Sequence, residues 1–173
     1  MARSSIRAPT TPSWPASTSN SFPAAGYADP HAIVFDAGGN LVLGGLFVGD
    51  LDAFVGKFSP AGAHLWSLRF GDGSGQYVQG LATDAAGNVY ITGGGPLSSD
   101  GSGDVFLVKL APSGTHVWSQ RFGDFQDQSG LGVAGSATGR VGVTGRFQGG
   151  INLGDGPKTS QGQSDLFVGV FGP

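Results

Sequence analysis

Apolar residues along this chain gather in runs of 4–7, rich in β-branched and aromatic side chains, with no recurrence at i, i+3, i+4. That period predicts strands and no helix. Ala32–Phe35, Leu41–Gly44, Ala53–Phe58 and Leu65–Phe70 form the first set. Asp36-Ala37-Gly38-Gly39-Asn40 and Ser59-Pro60-Ala61-Gly62 stand between them. These are turn sequences, because glycine accepts φ > 0 and proline presets φ.

The set then recurs. Gly80–Thr83, Val89–Thr92, Val105–Leu110 and Val117–Phe122 keep the same order, and a more divergent third copy follows. Asp36-Ala37-Gly38-Gly39-Asn40-Leu41 matches Asp84-Ala85-Ala86-Gly87-Asn88-Val89, and Ser136-Ala137-Thr138-Gly139-Arg140-Val141 matches both. Asp52-Ala53-Phe54-Val55, Asp104-Val105-Phe106-Leu107 and Asp165-Leu166-Phe167-Val168 form a second triplet. Arg69-Phe70-Gly71-Asp72 returns as Arg121-Phe122-Gly123-Asp124. Trp14, Trp66 and Trp118 stand 52 residues apart, which raises the prospect of a further repeat strand around Trp14.

A four-strand unit repeating at this length is the pattern of propeller blades. Apolar residues at both alternating positions of the third strand call for cover on both faces, which stacked sheets provide. The expected fold is all-β, about three four-stranded antiparallel blades of an incomplete or open propeller. The boundaries are 31–72, 73–124 and 125–173, the last lacking its outer strand. Its long inner loop, Gln148 to Ser164, has room for extra pairing at Ile151-Asn152-Leu153. Residues 1–30, rich in Ser, Thr, Ala and Pro, read as a disordered leader.

Composition narrows the function. All twelve acidic residues are Asp, which suits turns, and none is Glu. A net charge of −3 with scattered charges leaves no footprint for nucleic acid. Absence of cysteine removes disulfides and thiolate metal sites, and no apolar run is long enough to span a bilayer.

Asp84–Gly93 and Asp104–Trp118 resemble the bacterial β-propeller repeat family abbreviated SBBP, a D-x-x-G-N-V-Y-V-T-G hairpin followed by D-x-F-V-x-K and a Trp strand. That resemblance implies a propeller fold, a secreted or cell-surface bacterial protein, and a structural repeat with no catalytic residues. Gly114-Thr115-His116-Val117-Trp118 also resembles the turn of quinone-cofactor propellers, whose Trp residues dock between blades.

No catalytic, cofactor or metal set emerges. Asp72, Asp124 and Asp127 are the candidate rim-loop binding residues, and the only carboxylates placed for glycoside chemistry; their simpler role is turn capping. Asp100-Gly101-Ser102-Gly103-Asp104 is loosely like a calcium loop but lacks its terminal Glu. His64 and His116 share one repeat position and read as exposed strand residues; His31 stands alone. Lys57 and Lys109 read as edge or snorkelling lysines. The expectation is a non-catalytic scaffold binding a protein or a glycan, capable of self-association through unpaired blade edges. The alternatives are a fragment of a glycan-acting or quinone-dependent propeller enzyme, or a non-functional remnant.

Overall fold

The computed structural model describes residues 28–47, 51–71, 74–96 and 103–172. Among these every regular element is a strand. Sheet one holds β1 (Ala28–Phe35), β2 (Leu41–Phe47), β3 (Asp52–Phe58) and β4 (His64–Phe70), in that order. Sheet two repeats the meander with β5 (Tyr77–Thr83), β6 (Val89–Gly94), β7 (Val105–Leu110) and β8 (His116–Phe122). Sheet three comprises β9 (Gln128–Gly135), β10 (Val141–Phe147) and β13 (Asp165–Phe171). Its inner loop carries a small hairpin, β11 (Gly150–Asn152) with β12 (Pro157–Thr159), the extra pairing expected there. All pairings are antiparallel.

The first hairpin of each sheet is built by its turn aspartate. Asp36 Oδ1 accepts the N–H groups of Gly38 and Asn40, and Asn40 Nδ2 donates back to the same carboxylate. Asp84 does the same for Ala86 and Asn88. In sheet three Ser136 Oγ accepts the Arg140 N–H and shares a hydrogen bond with the Thr138 hydroxyl, a version of the turn without the carboxylate. Gly39, Gly87 and Gly139 adopt φ of 76°, 80° and 81°, a region that disfavours any Cβ.

The inner strands begin earlier than the apolar runs suggest, and β1 starts inside the stretch expected to be leader. A β-bulge in each inner strand is the reason. Pro30 pairs Gly45 and Ala32 pairs Gly44, so His31 is the extra residue; Gln79 and Leu131 are its counterparts. A bulge reverses the in–out alternation, which hides the first half of the strand from a period-2 reading. The outer strands bulge at Leu65 and Val117 in the same manner.

The sheets stack face to face. Call the face of sheet one that meets sheet two its front. Val42, Ala53 and Val55 on that front pack against Val78, Val89, Ile91, Phe106 and Leu110 on the back of sheet two. The front of sheet two, with Tyr90, Val105, Leu107 and Phe122, packs against Val141, Val143, Phe147 and Phe167 on the back of sheet three. Inner strands lie beside one another: His31 Nδ1–H donates to the Val78 carbonyl (2.9 Å) and the Thr83 hydroxyl to that of Phe35 (3.0 Å). Near the outer strand, Trp66 Nε1–H donates to the Pro112 carbonyl at 3.0 Å, so this Trp bridges sheets one and two.

Two expectations need correction. Lys57 is neither an edge nor a snorkelling residue. It is 3 % exposed, pairs with Asp36 Oδ2 at 2.8 Å, and donates to the Pro112 carbonyl of sheet two. The repeat made Lys57 look like a strand-surface residue, but its face is the one covered by the neighbouring sheet. Cover on both faces of the third strand holds for β3 and β7 and fails for β13, where Leu166, Val168 and Val170 are exposed.

Candidate functional site

Antiparallel meanders place their short turns at one rim and their longer loops at the other. The short-turn rim is occupied by the aspartate turns. The long-loop rim gathers charged and amide side chains, and it too repeats. Asp52 Oδ2 accepts Arg69 Nε–H at 2.7 Å, and Asp104 Oδ2 lies 3.4 Å from Arg121 Nη1. Both carboxylates are buried while the arginines are half exposed. Gln76 Nε2–H donates to the Pro96 carbonyl and Gln128 Nε2–H to that of Gln148, two equivalent staples from an inner strand to the end of the next. A Cβ at Gly71 would strike the Asp52 carboxylate and Gln76; one at Gly123 would strike Asp104 and Gln128. The glycine of R-F-G-D is therefore required by close packing. Neither glutamine was singled out from sequence. The signal was present, since R-F-G-D-x-x-x-Q occurs twice, at Arg69–Gln76 and Arg121–Gln128.

Asp124 lies in the β8–β9 connection. Its Oδ1 accepts Gln126 N–H (2.8 Å) and Gln128 Nε2–H (2.6 Å), and its Oδ2 accepts Gly150 N–H (2.7 Å). Burial acts to raise the Asp124 carboxyl, but these donors outweigh it and hold it below the ordinary carboxylate range. Asp127 Oδ1 accepts the Gly103 N–H at 3.0 Å, and its carbonyl accepts Gln148 N–H. Both aspartates thus hold loop backbone, Asp124 within its own turn and across to Gly150, Asp127 across to Gly103. Asp72 lies outside the described residues, as do Trp14 and Asp100, Gly101 and Ser102 of the calcium-like segment. Among the described residues no group of three or more His, Cys, Asp or Glu side chains could hold a metal ion. His64 and His116 are exposed on their strands, as expected. Lys109 sits 5.2 Å from the centre of the Tyr90 ring, in the cation–π range.

Of the solvent-open concavities, the two largest among the described residues differ in character. One, of about 440 Å³, lies between the outer strands of sheets one and two, walled by Phe70, Phe106 and Val108 and edged by Gln120 and Arg121. The other, of about 510 Å³, belongs to the third repeat and the long-loop rim. Gln126, Gln148, Gln163, Thr159 and Ser160 line it, with Gly149 and Gly162 between them. Its wall is the β11–β12 hairpin, set in a loop longer in sequence than its counterparts in the first two repeats. Asp124 holds that wall through the Gly150 N–H, and the Ser160 hydroxyl accepts the Gly149 N–H. Every lining side chain is uncharged, and amides and hydroxyls both donate and accept. Phe125, next to Gln126, is 72 % exposed.

No curated protein matches the chain. Residues 65–94 match the family model described as SBBP, Beta-propeller repeat. That segment runs from the outer strand of sheet one through the first hairpin of sheet two, across the junction stapled by Gln76 and bridged by Trp66. The same junction, from Val117 through the β9–β10 hairpin, recurs one repeat later in the structure. Over residues 65–94 the chain is thus similar to the SBBP β-propeller repeat, and the four-stranded meander of which that segment is part occurs in both sheet one and sheet two.

Proposed function

We propose that the chain is a non-catalytic propeller-repeat scaffold whose long-loop rim binds a neutral glycan, within a secreted or cell-surface bacterial protein. The observation that carries this reading is the amide- and hydroxyl-lined concavity raised on the third repeat. The repeat itself builds the frame, so recognition belongs where one copy departs from it, on loops held by a rigid scaffold. Uncharged groups that both donate and accept suit the hydroxyls of a sugar. The exposed Phe125 ring offers an apolar face to sugar C–H groups, and the carboxylates nearby are occupied by backbone donors. The secreted or surface setting rests on the likeness of the repeat to the SBBP family.

The competing reading, a glycan-acting enzyme fragment, needs an acid whose proton is held near neutral pH. Asp124, held low by its donors, is poorly suited to that. Titration calorimetry and a glycan array with the purified chain test the proposal. Binding of neutral oligosaccharides is expected, weakened at least tenfold by Gln126→Ala combined with Gln163→Ala. Absence of glycan binding together with capture of a defined protein would replace the glycan with a protein partner. Glycoside turnover abolished by Asp124→Asn would overturn the scaffold reading altogether.

A further inference from the structure

Both ends of the stack expose apolar side chains at repeat positions that are covered between its sheets. Ala53 and Val55 on the front of sheet one, and Val105 and Leu107 on the front of sheet two, are fully buried by the next sheet. Leu166 and Val168 occupy the same positions of the repeat on sheet three, and they are 77 % and 67 % exposed. Val170 continues the stripe. The opposite end shows the complementary case. On the back of sheet two, Leu81 packs into the interface with sheet one. Its counterpart Ile33 on the back of sheet one is exposed, with Phe35 beside it. Exposed apolar strips along a strand mark interaction sites.

The two faces are of the kinds that mate inside the molecule, a front and a back. We infer that they mate between two copies of this chain, the front of sheet three in one copy lying on the back of sheet one in the other. This interface is heterologous, so one contact leaves a second pair of faces open. With two copies, that second pair meets as well and the ring closes. Two copies of the three described sheets give six, inside the range of four to eight at which propellers close. The occupant is identified by the two internal interfaces, which already show what a front face of this repeat packs against. This inference stands apart from the glycan reading, because the stacked faces and the long-loop rim are different surfaces.

Sedimentation velocity with the full chain, over a range of concentrations, reads the result. The wild type is expected at the mass of two copies. Val168→Lys and Ile33→Glu, each at a position already exposed in the single chain, are expected to weaken association at least tenfold with an unchanged circular dichroism spectrum. Mixing the two variants distinguishes the front-to-back arrangement. The mixed pair recovers one wild-type interface, and in the other the introduced lysine faces the introduced carboxylate, so a one-to-one complex is expected to reappear. A wild-type mass other than two copies, association unaffected by either substitution, or a mixture that stays monomeric would each overturn the inference.

Discussion

Asp36 shows how much one side chain of the repeat carries. It closes the first hairpin and is the partner of Lys57, which reaches across to sheet two. Burial acts to raise its carboxyl, but hydrogen bonds from Lys57 and Asn40, with the charge of Lys57, bring it down to about 2 from the ordinary 3.8. A folded value below the unfolded one means stability that is present above pH 3.8 and lost as pH falls towards 2. The difference corresponds to roughly 2 kcal/mol. Urea unfolding between pH 7 and pH 2 is expected to show this loss in the wild type and a correspondingly smaller one in Asp36→Asn. Lys57→Met leaves a buried carboxylate without its cation and should cost about 3 kcal/mol at pH 7. The turn itself was legible in sequence, because an Asx turn is written in consecutive residues. The ion pair was not: Asp36 and Lys57 meet only once β2 and β3 are paired and sheet two covers them.

At the scale of the strand the repeated device is the bulge. Opposite each inner bulge stands a glycine, Gly45, Gly93 or Gly145, with no room for a side chain. A Cβ there would run into the carbonyl oxygen of Asp29, Tyr77 or Ser129. At Gly93 and Gly145 it would also meet the ring of Phe106 or Phe167. Gly93→Ala is therefore expected to destabilise by about 3 kcal/mol, the range for overpacking where backbone must move. Thermal unfolding measures it; a change under about 0.5 kcal/mol, typical of a surface position, would remove the steric argument. Strand identity and order were readable from the runs and turns. The bulges were not, since a one-residue register shift has no composition of its own. The glycine-rich insertion of the third repeat was visible as a long loop, but its amide-lined concavity depends on Asp124 and Ser160 gripping Gly150 and Gly149.

For the whole molecule, two apolar seams join the three described sheets, while the front of sheet three and the β1 part of the back of sheet one carry exposed apolar side chains. Sequence alone could not distinguish β13 from β3 and β7, because its apolar pattern is theirs. Exposure is a property of what lies alongside. The central claim is that one sheet recurs three times by the same rotation and translation. The chain contains no cysteine, so paired spin labels can be introduced without background. Ala37, Ala85 and Ala137 hold the same exposed position in the three first hairpins. Electron paramagnetic resonance on 37/85, 85/137 and 37/137 label pairs gives the three distances. Equal values for the two neighbouring pairs, with a longer 37/137 distance that stays below their sum, are expected of consecutive blades on an arc. Clearly unequal neighbouring distances, or a 37/137 distance shorter than either, would contradict the stacked repeat.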